Sequence, residues 1–170
     1  MTTRTKALVW AACAVAVLFC AVAGRVYWLA RQDDSLRYAA SRDAALAAGR
    51  ERIAELNTLD VKNIDSGLGL WLHASTGALH DKLAATRATD RTTLTKAGTS
   101  ARGTVTDAAL TALDYRAGTA ALIATVKVAV TPRGGTATTD RKRFTATLAR
   151  TREGWKVTAL SAVPVGKEGA

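Results

Sequence analysis

The chain has 170 residues and a formal net charge of +10 at pH 7, and both of its cysteines, Cys13 and Cys20, lie in one apolar stretch. This length fits one domain of ordinary size behind one apolar segment. Because no thiol lies outside that segment, the composition excludes a disulfide framework and a thiolate metal site in the rest of the chain.

The apolar stretch begins with seventeen residues, Ala7 to Ala23, that carry no charge and no strong hydrogen-bonding side chain. Five more low-polarity residues follow Gly24 and Arg25, which brings the stretch to the roughly 17–25 residues that cross a bilayer as a helix. We therefore predict a short cytoplasmic N-terminus over residues 1–6 and a transmembrane helix over residues 7–30. The residues expected to hold it in the bilayer are Ala7, Leu8, Val9, Trp10, Val15, Val17, Leu18, Phe19, Val22, Tyr27 and Trp28.

Removal of this stretch as a secretion signal is the alternative, because a basic N-terminus precedes it and Ala21–Ala23 resembles a cleavage site. Its length and the Tyr27–Trp28 pair, which suits a headgroup layer, favour a retained anchor. Lipidation of Cys20 is not expected, since Phe19 is too bulky for the position before an acylated cysteine.

Residues 31–57 are predicted to form an amphipathic helix that opens the next domain, running from about Ser35 to Leu56 with a break from the anchor at Asp33–Asp34. Residues 66–86, SGLGLWLHASTGALHDKLAAT, predict two short helices divided near Ser75–Gly77. The threonine-rich run that follows predicts a helix end and a loop.

From Arg102 the apolar residues alternate with polar ones, which indicates half-buried strands. The pattern predicts four strands joined by short turns, with one bulge in the first strand, and thus an antiparallel meander. With the helices before the sheet, the fold class is α+β: helices cover one face of the sheet, and the other face meets water or a partner. The remainder of the α+β domain, after the amphipathic helix, is predicted to span residues 58–163, and residues 164–170 are predicted to form a flexible tail.

Residues able to do chemistry are few and scattered. His73 and His80 with Asp81 would make a metal site only in an unbroken helix, where the two rings would lie roughly 10 Å apart, too far to share an ion. A pocket between helices and sheet could hold a general acid or base. Its candidates are Asp65, His73, His80, Asp107 and Tyr115. Without evidence that they converge, we predict no enzyme activity, no catalytic or metal-binding residue and no cofactor.

The basic excess is concentrated in the last third of the chain. Between Lys127 and Lys156, eight Lys and Arg residues face two acidic ones. Such an excess attracts anionic surfaces through a screened, weakly specific field. The candidate contacts are Arg133, Arg141, Lys142, Arg143, Arg150 and Arg152. Nucleic acid is not an expected partner, because the only aromatic residues there, Phe144 and Trp155, fall at expected core positions and offer no base-stacking platform.

Three short motifs carry a resemblance to a known family: LNTLD over Leu56–Asp60, the pair Thr76–Gly77, and EGWKVTAL over Glu153–Leu160. Together with the basic N-terminus and the apolar segment, they resemble the Mce-associated membrane proteins of actinobacteria. The resemblance implies an NTF2-like, or cystatin-like cone, domain. It also implies a non-catalytic accessory subunit with protein partners in a lipid-importing Mce complex of the cell envelope.

The charges around the apolar segment oppose the topology of that family. Arg25, Arg31, Arg37 and Arg42 follow the uncharged run that ends at Ala23, against Arg4 and Lys6 before it, and the positive-inside rule alone would keep the domain in the cytoplasm. Following the family, we expect a single-pass protein of the cytoplasmic membrane with its C-terminal domain outside. Two alternatives stay open: a small-ligand-binding or isomerase- or cyclase-like NTF2-fold protein, and a secretion-system scaffold of similar layout. The oligomeric state cannot be read from the sequence.

Overall fold

The computed structural model describes residues 3–31 and 34–164, and it divides into two compact units, Met1–Ala40 and Ser41–Ala170. Its helices are α1 (Thr3–Arg31), α2 (Asp34–Leu56), α3 (Ile64–Ala74) and α4 (Gly77–Ala97), with a 3-10 turn at Val61–Asn63. Its strands are β1 (Thr99–Asp114), β2 (Thr119–Pro132), β3 (Thr138–Thr151) and β4 (Gly154–Val163). The predicted flexible tail lies outside the described residues except for Pro164.

Helix α1 contains the whole segment predicted to cross a membrane, and large apolar side chains such as Trp10 and Phe19 are 78% and 75% exposed on it. Among the described residues, however, no helix combines the length and the apolar character of a membrane span. The predicted transmembrane helix is therefore not confirmed.

Helix α2 confirms the predicted amphipathic helix, since it ends at Leu56 and starts one residue before Ser35. Its buried residues Ala45, Gly49 and Ile53 recur every fourth position and form one stripe. The predicted break before it involves Asp33, which lies outside the described residues.

Helices α3 and α4 are separated at Ser75–Thr76, as predicted. Helix α4 is much longer than expected, because it continues through the threonine-rich run to Ala97. Two threonines in it, Thr92 and Thr95, donate their hydroxyls to carbonyls one turn earlier, and Thr86 donates to the carboxylate of Asp90 at 2.6 Å, so these hydroxyls are satisfied within the helix. The helix ends where Gly98 takes a left-handed conformation with φ of 62°.

The four strands form one antiparallel sheet in the order β1-β2-β3-β4, which confirms the predicted meander. Strand β1 has two register shifts, at Val105/Asp107 and Leu110/Ala112, where the sequence predicted one. A third shift, at Thr147/Leu148 in the β3–β4 pair, changes which residues of β4 face the core. As a result Leu160 packs against the core and Ala159 is exposed, the reverse of the predicted alternation.

The core lies between the sheet and helix α2. Alternate residues of β2 supply half of the buried residues on its sheet side, and Leu148 and Val157 add fully buried side chains from β3 and β4. The β2 residues are Ala120, Leu122, Ala124, Val126 and Val128. Gly49 lets α2 approach closely, because a Cβ at this position would collide with the Leu122 side chain. We call the opposite side of the sheet, which no helix of the unit covers, the outer face.

Candidate interaction surface

The outer face is built by the residues of β2 that alternate with the core residues. Ile123 is 41% exposed at its middle, although isoleucine is usually buried. The strand register places Ala109 and Thr145 on either side of Ile123, with Ser161 beyond Thr145 on β4. All four are exposed and uncharged, and they form a row across the sheet. We call this row the neutral row.

Next to the neutral row, between it and the β2–β3 hairpin loop, the outer face becomes basic. Lys127 on β2 lies directly opposite Arg141 on β3, and Arg143 follows on the same face opposite Thr125. Directly opposed side chains have Cβ atoms about 4.5–5.5 Å apart, and like charges at this distance destabilise a sheet. None of the three cations makes a hydrogen bond or ion pair with the described residues. Lys127, Arg141 and Arg143 are called the cationic patch below.

A shallow depression joins the neutral row to the cationic patch. Its volume is about 220 Å³, below the roughly 300–1,000 Å³ of typical small-molecule sites. It is lined by Arg50, Asp107, Ala108, Ala109, Ile123, Ala124, Thr125 and Arg143. Arg50 is held there by a 3.3 Å hydrogen bond from its Nη2 to the carbonyl oxygen of Thr106, a residue at the first β1 shift. The outer face is therefore not flat at this point, and Arg50 adds a further positive charge to it.

The structure brings together only two of the six predicted anion-contacting residues, Arg141 and Arg143. Lys142 alternates to the other side of β3, and Arg133 lies beside Gly98 at the end of α4. Arg150 and Arg152 lie at the other end of β3, where Arg150 donates to the carbonyl oxygen of Tyr115 at 3.1 Å. The predicted set is thus divided among separate places.

Sequence reasoning did not place Lys127 or Ile123 in a site. Lys127 was visible as part of a basic run, but its position opposite Arg141 depends on the register of the β2–β3 hairpin. The alternation of β2 placed Ile123 on the face opposite to the core residues. A large apolar residue at such a position is the signal that could have marked it as part of a site.

The residues considered for acid–base chemistry lie on separate elements. Asp65, at the start of α3, forms an exposed ion pair with Arg91 at 2.9 Å, and His80 on α4 lies 3.5 Å from the carboxylate of its neighbour Asp81. His73 lies in the last turn of α3. Asp107 is on β1, and Tyr115 lies in the turn that follows this strand. The structure does not gather these side chains around one cavity. Within the described part of the chain, no three His, Cys, Asp or Glu residues are grouped as metal ligands.

Two exposed carboxylates have pKa values below their usual range, and both have local structural partners. Asp60 accepts the backbone N–H of Lys62 at 2.9 Å, which lowers its pKa and caps the 3-10 turn. Lys156 donates to Glu153 at 2.6 Å across the β3–β4 turn and lowers the pKa of that carboxyl. These shifts report on turn stability and mark no reactive site.

Several solved structures have a similar fold, and two of them are named as type IV secretion system proteins or homologs. An IcmL-like type IV secretion system protein of Legionella pneumophila aligns with a TM-score of 0.59 at 15% identity, over 76% of this chain and 96% of its own. CagV of Helicobacter pylori, a VirB8 homolog, aligns at 0.56 and 9%, over 72% and 98%. A periplasmic fragment of TraM aligns at 0.54 and 16%, over 70% and 94%.

At such identities the likeness shows the fold alone, which is the NTF2-like α+β fold that the resemblance implied. Their names do not mention Mce complexes, so the Mce association stays a prediction. None of the curated proteins matches the chain significantly. A family model does match residues 5–164, nearly the whole chain, and this protein therefore belongs to the family described as Uncharacterized protein Rv1363c/MT1408-like.

Proposed function

We propose that this protein is a non-catalytic accessory subunit of a cell-envelope assembly. Its NTF2-like domain lies outside the cytoplasmic membrane and acts by contacting other proteins, and helix α1 holds it at the membrane. The observation that carries the proposal is the outer face of the sheet, where an exposed isoleucine lies near three cations that have no partner among the described residues. Exposed apolar area beside charged residues marks many interaction sites.

The fold supports a role in an envelope assembly. Two of the similar structures are named as type IV secretion proteins, and a third is a periplasmic fragment of TraM. The same fold can also enclose a ligand, but the depression on the outer face here is shallow and the candidate acid–base residues lie apart. These features favour contact with a macromolecule over chemistry on a small substrate.

For the identity of the assembly, we favour an Mce lipid-import complex. The support is the resemblance of LNTLD, Thr76–Gly77 and EGWKVTAL to Mce-associated membrane proteins. A secretion-system scaffold is the second candidate, and the names of the fold neighbours favour it. Both candidates place the domain in the envelope and differ in which subunits it meets.

The role of α1 is supported by its sequence and by its surface. The uncharged run from Ala7 to Ala23 would carry a bilayer-facing helix, and Phe19, Val22 and Trp28 are more than half exposed. Apolar side chains in this number need lipid or protein around them. If α1 is the anchor, the chain stays in the membrane pellet after alkaline carbonate washing. Replacing Val17, Phe19 and Val22 by serine would then release it.

The assembly is tested by mild chemical crosslinking of the tagged full chain in its host membranes, followed by purification and mass spectrometry. Mce subunits are the expected partners. Secretion-channel subunits would select the second candidate and overturn the first. Recovery of no envelope protein, in a preparation where the tagged chain itself is abundant, would contradict the proposed function.

A further inference from the structure

We propose that the outer face is the docking site for an acidic segment of the partner protein, with Ile123 of the neutral row as its apolar centre and the cationic patch as its charged rim. This inference rests on the proposed function and adds the place of contact and the chemistry of the partner. Protein interfaces commonly have such a centre and rim, with arginine enriched.

The charge of the rim determines the chemistry of the partner. Lys127 and Arg141 stand directly opposite each other with no carboxylate between them, although a sheet is more stable with opposite charges there. Asp140, the nearest acidic residue on β3, pairs with the buried Val128 and so belongs to the other face. Carboxylates from a partner would remove this repulsion and accept hydrogen bonds from both arginines.

Two other basic residues of the sheet have local partners. Arg150 is bound to the carbonyl of Tyr115, and Lys156 is paired with Glu153. Arg102 and Lys142 have no partner among the described residues, like the cationic patch, but the strand register places them opposite Ala129 and Val126. The cationic patch therefore differs from them in the direct opposition of Lys127 and Arg141.

Two other occupants fit the face less well. A second copy of the chain carries the same charge of +10, and its own patch would be repelled. An anionic lipid surface attracts clusters of four to eight cations, and Arg50 and Arg102 add to the three cations of the patch on this face. The face also carries the carboxylate of Asp107 and the exposed side chain of Ile123, however, and a uniformly anionic surface matches neither. A protein can place acidic side chains opposite the cationic patch and an apolar side chain against Ile123, and it therefore fits the face better.

The test places a photo-crosslinking amino acid, p-benzoylphenylalanine, at Thr145 in the full-length chain in host membranes. The matched position is Thr89, which is exposed on helix α4 and belongs to no strand of the outer face. Each version is combined with Lys127→Glu and Arg141→Glu. The control pair is Arg87→Glu and Arg152→Glu, which changes the net charge equally at exposed sites outside the cationic patch. Circular dichroism confirms that all variants fold.

The expected result is an adduct from position 145 whose crosslinked peptide comes from another protein and is rich in Asp and Glu. Reversal of the cationic patch should lower its yield at least tenfold, and the control pair should leave it unchanged. A phospholipid adduct, a crosslink to a second copy, or a yield that both pairs lower equally would overturn the inference. Protein adducts from position 89 alone would overturn the inference while leaving the proposed function standing; adducts from neither position would count against both.

Discussion

The indole N–H of Trp71 on α3 donates to the backbone carbonyl of Thr58 at 2.9 Å, across the connection that leaves α2. The hydroxyl of the same threonine accepts the backbone N–H of Gly103 on β1 at 3.0 Å and donates to the carbonyl of Ala54 at 2.7 Å. Thr58 therefore links α2, α3 and the edge of the sheet, and this junction fixes where β1 lies against the helices.

Substitution Trp71→Phe keeps a ring but removes the donor to Thr58. We expect the free energy of unfolding to fall by about 1 kcal/mol, the usual net value of one hydrogen bond, with more lost if the carbonyl stays unpaired. Urea unfolding of the full chain in neutral detergent measures the change. Trp10→Phe is the control, because Trp10 is 78% exposed on α1 and its loss should leave the domain unaffected. Equal effects of the two substitutions would contradict this account of the junction.

Gly103 is required by the close approach of β1 to the end of α2. A Cβ at this position would lie 2.6 Å from Cβ of Asn57 and 3.1 Å from the carbonyl oxygen of Ala54. Because these atoms belong to backbone or sit next to it, Gly103→Ala should cost about 1–3 kcal/mol of stability.

The matched substitution is Gly69→Ala inside α3, where a Cβ would meet no atom within 4 Å. Here alanine should stabilise the helix by about 0.5–1 kcal/mol. Thermal unfolding of the two variants side by side should shift in opposite directions. Destabilisation by both would show that the geometry at Gly103 is not the cause.

The motif LNTLD illustrates how much structure a short stretch can carry. Leu56 packs on the core, and Asn57 donates its side-chain amide to the carbonyl of Ile53 at 2.8 Å. Leu59 exchanges two backbone hydrogen bonds of 2.8 Å with Ala101, and Asp60 caps the next turn. The motif was recognisable in the sequence, whereas its partners on β1 were not, because they lie more than forty residues away along the chain.

Periodicity predicted the elements well where one face is buried and less well elsewhere. Helix α2 and strand β2 follow regular buried stripes and were found nearly to the residue. Helix α4 has no fully buried residue among those described. Its continuation through the threonines is therefore not accompanied by a periodic pattern of apolar residues in the sequence. The bulge at Thr147/Leu148 also left no mark, and the facing of Leu160 was therefore predicted wrongly.

The cationic patch shows the same limit for the candidate site. Its arginines were predicted as contacts for an anionic surface, but together with residues that lie at the far end of β3. Register decides which charges meet, and a two-residue change in the hairpin loop would have paired Arg141 differently. The sequence alone therefore predicted a basic region. The strand register shows that three of its side chains, Lys127, Arg141 and Arg143, lie together on one face of the sheet.

The cationic patch also yields a prediction about stability. Lys127→Glu on its own would place a carboxylate opposite Arg141 and replace a like-charge pair by an opposite-charge pair. We expect a gain of about 0.2–1 kcal/mol in the free energy of unfolding, reduced at high salt. Chemical denaturation at low and high salt measures it, with Lys127→Gln as the control that removes the repulsion without adding attraction. A loss of stability at low salt would contradict the assigned register.

The turn between β3 and β4 provides a prediction about pH. The hydrogen bond and the charge of Lys156 lower the pKa of Glu153 from its usual value of 4.5. A carboxyl group with a lowered pKa in the folded state stabilises that state at pH values above 4.5, and the stabilisation is lost as the pH falls through the folded-state pKa. The carboxyl resonance of Glu153, followed by NMR, should therefore titrate below 4.5.

Substitution Lys156→Met removes the partner but keeps an unbranched apolar chain, and the titration midpoint of Glu153 should then rise towards 4.5. Glu153→Gln should lower the unfolding free energy at pH 7 and have a vanishing effect near pH 2, where the carboxyl of the parent chain is also neutral. The effect at pH 7 should be small, because Glu153 is 67% exposed and water screens the pair. A Glu153 midpoint that Lys156→Met leaves unchanged would show that the lysine does not set the pKa of this turn.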